Sequence, residues 1–186
     1  IRIPLQLLRM APGSGPQPEL LDEGLNTFWY NDAFRTSLVL DDNDSIHLVH
    51  KINHPVQGEK VQHLLVSSGP AIKSTVHDDN ESLGSIGLGI DSTGAVHACY
   101  DLGGALYYAN NQGGAWTSTD LSTLLPIASG LDCDIAVDGT DDLHLSFLEN
   151  RNLKYASYSN GHWTMETLDL HSGVAVATSH TTAITT

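Results

Sequence analysis

Three of the ten histidines in this 186-residue chain are placed by rule. His47, His97 and His144 each follow an aspartate by six residues: Asp41, Asp91 and Asp138. An imidazole and a carboxylate at that spacing can hold a metal, serve catalysis, or bond each other and secure a turn. A motif used three times points to the turn, because scaffold elements recur whereas a molecule usually has one site. The non-repeating residues are different. Phe28, Trp29 and Tyr30 are consecutive, and Asn31, Asp32 and Arg35 follow. Flat rings beside amide and carboxylate groups suit a sugar, whose C–H faces stack on rings while its hydroxyls bond polar groups. The bland alternative is that these aromatics cover the end of a barrel or contact a subunit.

Polar candidates from other irregular segments complete the set. The expected ligand-binding residues are Trp29, Tyr30, Asn31, Asp32, Arg35, His54, His77 and Asp78. For catalysis, Arg35 would meet an anionic sugar, with His54, His77, Asp78 or Tyr30 as acid or base. No spacing joins these into a constellation, so no catalytic residue is assigned. The Asp-rich turns "DDNDS" (41–45) and "DGTDD" (138–142) suggest calcium at first sight. Calcium takes about six to eight oxygen ligands, and the D-x-[DN]-x-[DN]-G spacing is absent. Asp and Asn also favour turns by bonding their own backbone. No G-x-S-x-G, H-E-x-x-H, C-x-x-C or P-loop pattern is present. No metal or cofactor is expected.

The elements that must position these residues repeat. "DDNDSIHLVH" (41–50), "DSTGAVHACY" (91–100) and "DGTDDLHLSF" (138–147) align with offsets of 50 and 47 residues, within the range of propeller blades. Downstream, "ALYYANNQGGAW" (105–116) lies over "NLKYASYSNGHW" (152–163), with "VQHLLVSSGPAI" (61–72) as a divergent third copy. Each unit reads as four short strands, the fourth starting at Trp116, Trp163 or Ile72. Leu143, Leu145 and Phe147 show the period of two that strands require, and no stretch has helical periodicity. The expected fold is an all-β propeller with first strands innermost. Trp116, Trp163, Tyr108 and Tyr155 are repeat residues and read as scaffold, the tryptophans packing between blades.

"LQLLRMAPGSGPQPELLD" (5–22) matches "LKYASYSNGHWTMETLD" (153–169) with one extra residue, and 172–186 can supply two more strands. The expected division is 1–22 half blade, 23–73, 74–120 and 121–169 whole blades, and 170–186 half blade. Two halves that pair leave no open edge, giving four blades. The alternative is a fragment of a larger ring.

The pattern Asp-x-x-Gly-x-x-His-apolar-x-Tyr, then Leu-x-Tyr-Ala and Gly-x-Trp, resembles repeats of bacterial secreted β-propeller proteins. It is similar, more loosely, to the Asp-box repeats of sialidases and propeller lectins. An Asp box reads Ser-x-Asp-x-Gly-x-x-Trp; here the turns read "SYSNGHW" (157–163) and "NNQGGAW" (110–116). Gly and Trp match while the Asp and the spacing do not, so the resemblance implies architecture rather than sialidase activity.

Composition limits the partners. Asp plus Glu number 22 against 8 Lys plus Arg, a formal charge of -14. Such a field repels nucleic acid and anionic membranes. No apolar run reaches the roughly 20 residues of a spanning helix. "IRIPLQLLRM" is interrupted by Arg2, Pro4 and Arg9 and lacks a cleavage site. A first residue other than Met reads as a processed or partial product. Abundant Thr, Ser, Gly, Asn and Asp with scarce Lys fit a secreted protein. Cys99 and Cys133 lie in neighbouring units, and either one bridge or two buried thiols fits their spacing.

Length variation falls on the face carrying the 2–3 and 4–1 connections: 23–34, 52–59, 77–84 and 121–131. Irregular loops on a regular scaffold are where function resides. The expected function is an extracellular recognition module binding glycan or protein on that face. A carbohydrate-active hydrolase or lyase on the same face is the alternative, and a self-associating structural subunit the third reading.

Overall fold

In a computed structural model of the chain, each of the three aspartates closes a hairpin. The Asp91 carboxylate Oδ1 accepts from the N–H groups of Thr93 and Ala95, both at 2.9 Å. Asp138 does the same with Thr140 and Asp142, and Asp41 with Asn43 and Ser45. The fourth turn residue has positive φ: Asp44 at 59°, Gly94 at 83° and Asp141 at 64°, which Gly and Asp tolerate best. The other carboxylate oxygen turns to the histidine, 3.1 Å away at His97 and 3.2 Å at His144, but 3.6 Å at His47. Each ring's second nitrogen then reaches the third strand: Tyr108 Oη at 2.7 Å from His97 and Tyr155 Oη at 2.5 Å from His144. The histidines therefore hold hairpin to third strand, one bond beyond the hairpin contacts expected. His47 and His97 are buried and His144 half-buried.

The structure describes residues 5–9, 17–22, 36–54, 58–79, 81 and 83–169. A hairpin pairs β1 (Leu5–Arg9) with β2 (Gln17–Asp22). Three four-stranded antiparallel sheets follow, each in sequence order. The first holds β3 (Thr36–Leu40), β4 (Ile46–His54), β5 (Gly58–Val66) and β6 (Ile72–Asp78). The second holds β7 (Leu83–Ile90), β8 (Val96–Leu102), β9 (Ala105–Asn110) and β10 (Thr117–Asp120). The third holds β11 (Leu131–Val137), β12 (Leu143–Glu149), β13 (Asn152–Ser159) and β14 (His162–Asp169). The result is three propeller-like blades, and among the described residues they close no ring. The expected pairing of 5–9 with 181–186 falls outside the described residues.

Adjacent blades meet along their first strands, β7 lying between β3 and β11. Gly87 makes the approach to β11 possible, since a Cβ there would sit 2.6 Å from Asp134 Oδ1 and 2.8 Å from the Ile135 nitrogen. Strand β8 is buried along its whole length, because alternate residues face opposite neighbours. Ala98 and Tyr100 pack with Val49, Val61 and Val76 of the first blade. Cys99 packs with Leu145 and Phe147 of the third and forms a disulfide with Cys133. Both repeat tryptophans cross between blades: Trp116 Nε1 donates to Ser74 Oγ at 3.1 Å, and Trp163 stands edge-on to Tyr108.

One alignment needs correction. Val49 faces His63 as Cys99 faces Tyr108 and Ser146 faces Tyr155. His63 thus occupies the tyrosine position. Ile72 pairs with Leu65 as Thr117 pairs with Asn110, so Ala71, not Ile72, takes the tryptophan place. Matching by hydrophobicity put Ile72 on the wrong face of a period-two strand, where it is 62% exposed.

Candidate functional site

The ladder between β5 and β6 shifts register at Val61/Gln62. Such an irregularity re-aims side chains. Val76 enters the core between the first two blades, and its neighbour His77 also faces the second blade, with Nδ1 2.7 Å from Tyr100 Oη. The His77 ring stands edge-on to Tyr100 and Tyr107, with centroids at 5.6 and 4.9 Å. Those two tyrosines stack with an interplanar angle of 3°.

Around this aromatic corner the ends of β4, β5, β6, β7 and β8 converge on the long-loop face. Lys51, Lys60, Val61, His77, Asp79, Glu81, Leu83 and Leu102 line a shallow cleft open to solvent. Val61, Leu83 and Leu102 supply an apolar floor; lysines, histidine and carboxylates supply donors and acceptors. The Glu81 carboxylate lies over the β8–β9 turn, where a side chain on Gly103 would collide with it, and Gly103 itself has φ +60°. Burial first, then the charges of Asp120, Glu81 and Asp79, push the Tyr107 phenol up. Burial also holds Tyr100 firmly protonated.

The corresponding end of the next interface is built differently. Phe147 stands where Tyr100 stands, paired across its sheet to Lys154 as Tyr100 is to Tyr107. Segment 121–131 opens with a short 3-10 helix at Leu121–Thr123 and buries Leu121, Leu125 and Ile127 in the core there. Glu149 Oε1 accepts from the Ala128 N–H at 2.8 Å and anchors the segment. This loop, expected among the functional ones, is a hydrophobic plug. Of the two interfaces between described blades, the polar cleft lies in the first.

The predicted site residues separate accordingly. His77 lines the cleft. Asp78 sits at its rim, more than half exposed, and accepts from Lys60 Nζ at 2.7 Å. His54 ends β4, paired to Gly58. Trp29, Tyr30, Asn31, Asp32 and Arg35 lie outside the described residues. Sequence reasoning missed Lys51, Lys60, Asp79, Glu81, Tyr100 and Tyr107. A signal was available: Tyr100 and Tyr107 have no counterpart of their kind at Phe147 and Lys154.

No family model and no curated protein matches the chain. Among solved structures, AofleA from Arthrobotrys oligospora is similar with a TM-score of 0.61 at 11% identity, over 94% of this chain and 55% of AofleA. The chain thus spans about half of that protein's length. A fucose lectin from Kordia zhangzhouensis, solved with methyl-fucoside, is similar with a TM-score of 0.48 at 17% identity, over 70% of this chain and 96% of the lectin. The AofleA likeness concerns the fold alone, a propeller-like all-β architecture. Among the described residues no helix is long and apolar enough to cross a membrane.

Proposed function

We propose that this chain is a glycan-recognition module whose sugar site is the cleft between its first two blades on the long-loop face. The observation that carries this reading is the contrast between two equivalent places. One is plugged by Leu121, Leu125, Ile127 and Phe147; the other keeps His77, Tyr100, Tyr107 and a ring of charged groups around an apolar floor. The cleft is shallow and open to solvent, so the sugar would rest against it largely exposed. A glycan array with wild type, Glu81→Ala and Trp29→Ala tests it. Wild type binds, and Glu81→Ala weakens binding by about 1.5–3 kcal/mol, the loss of a hydrogen bond to a charged group. Binding that ignores Glu81→Ala but is lost with Trp29→Ala places the site on loop 23–34 instead.

The same reading extends to the architecture. Leu38 and Leu40 on β3 are 49% and 53% exposed, whereas Leu88 and Ile135, the counterparts of Leu38, are buried against the preceding blade. A further blade built from β1, β2 and segment 172–186 would cover them and complete a four-blade ring. Deleting 172–186 should then lower the melting temperature and raise binding of a hydrophobic dye. A buried disulfide fits an oxidising, extracellular setting, where glycans or glycoproteins are the partners.

A further inference from the structure

The two joints between described blades share a plan but differ in the groups that close them. In the joint of the second and third blades, Trp163 stands edge-on to Tyr108. His97 there lies between Tyr108 Oη at 2.7 Å and the Asp91 carboxylate at 3.1 Å. A proton added to that imidazole meets a counter-ion and a phenol oxygen. The Cys99–Cys133 bridge also ties those two blades covalently. In the joint of the first and second blades, Trp116 is tilted over His63, with ring centroids 5.3 Å apart, and no disulfide crosses.

The facing nitrogens of His47 and His63 are 3.1 Å apart, a spacing that holds one hydrogen between them. Both residues are buried. Asp41 stands 3.6 Å from the far nitrogen of His47, whereas His63 has the neutral Ser74 hydroxyl at 3.2 Å on its other side. Val49, opposite His63 on β4, shares a core with Ala98, Ala109 and Trp116 of the second blade, all uncharged. With both rings protonated, two N–H groups would point at each other and two charges would sit in a buried interface. Burial first, then the His47 charge, accordingly lower the His63 pKa to about 4. Lys51, Lys60, His77, Asp79 and Glu81 line the cleft end of the same joint, and Val61 on the cleft floor is two residues from His63 along β5.

We infer that the joint between the first and second blades is an acid-operated hinge: protonation at the His47–His63 pair parts those blades while the second joint stays closed. The cleft takes Lys51, Lys60, Val61 and His77 from one blade and Leu83 and Leu102 from the other, so it comes apart with the joint. Release of a bound sugar in acid follows, a consequence that rests on the cleft being the glycan site.

Fluorine NMR of protein labelled with 5-fluorotryptophan tests the hinge, because Trp116 and Trp163 report one joint each. Trp116→Phe and Trp163→Phe assign the signals, and circular dichroism checks the fold of every sample. A His63 that titrates at about 4 closed and 6.5 open raises the open-to-closed ratio by about 70-fold between pH 7.5 and 4.5. Over that range the Trp116 signal moves towards its urea-unfolded position, while the Trp163 signal stays. His63→Tyr, the residue of the other blades, and His63→Gln, which cannot take the charge, hold Trp116 in place. A Trp116 signal unmoved at pH 4.5, Trp163 moving with it, or His63→Gln behaving like wild type overturns the hinge. Calorimetry with the strongest array glycan at both pH values reads the consequence: affinity falls in wild type and holds in His63→Gln. Affinity unchanged while Trp116 moves upholds the hinge and overturns the cleft as the sugar site.

Discussion

His47 Nδ1 and His63 Nε2 lie 3.1 Å apart with their rings stacked at 5.3 Å, where the other two blades join His97 to Tyr108 and His144 to Tyr155. The substitution changes the electrostatics of one blade. His63 is buried among His47, Ser74 and Trp116. Burial first, then the neighbouring His47 charge, lowers its pKa to about 4 from an ordinary 6.5.

Acid stability follows from that shift. Between pH 6.5 and 4 the unfolded chain binds a proton at residue 63 that the folded chain refuses. Stability is complete above pH 6.5 and falls as pH drops towards 4, by about 3 kcal/mol from this group. His63→Tyr restores the Asp–His–Tyr arrangement of the other blades and should flatten the loss. Urea melts at pH 7.5, 6, 5 and 4.5 measure it; equal slopes for wild type and His63→Tyr would refute the assignment.

Reduction of the disulfide should loosen the second and third blades. Cys99 and Cys133 are 34 residues apart in sequence, and closing such a loop stabilises by about 3–4 kcal/mol in the chain-entropy model. Melts with and without reductant should differ by that amount, and Cys99→Ala should abolish the difference. A melting temperature unchanged by verified reduction would contradict the bridge's role.

Gly103→Ala separates binding from stability. At φ +60° a Cβ costs about 1 kcal/mol, and the new methyl displaces the Glu81 carboxylate. Affinity should fall by about tenfold, one charge-assisted bond, with only a small change in melting temperature. A variant that keeps full affinity shows that Glu81 takes no part.

The repeat was legible because its marks are chemically costly to replace. An aspartate that caps two N–H groups and orients a histidine leaves the same letters in each blade, so the hairpins of Asp41, Asp91 and Asp138 could be placed from sequence. The first blade's third strand was misregistered by one residue because His63 and Ala71 hide the Tyr and Trp marks. The cleft was mostly illegible. His77 was singled out, but its direction depends on a register shift in β6, and its partners Tyr100 and Tyr107 come from another blade. Loop 121–131 reads as irregular in the same way as 77–84; only packing shows that Leu121, Leu125 and Ile127 fill a core.

The most direct test of the account maps the sugar onto the protein. Amide chemical shifts of a labelled sample should be followed while the strongest glycan from the array is added. Perturbations should centre on Lys51, Lys60, His77, Glu81, Leu102 and Tyr107. Segment 121–131 and the turns at 41–45, 91–95 and 138–142 should stay unmoved. Shifts confined to those segments, with His77 and Glu81 unchanged at saturation, would contradict the cleft as the binding site.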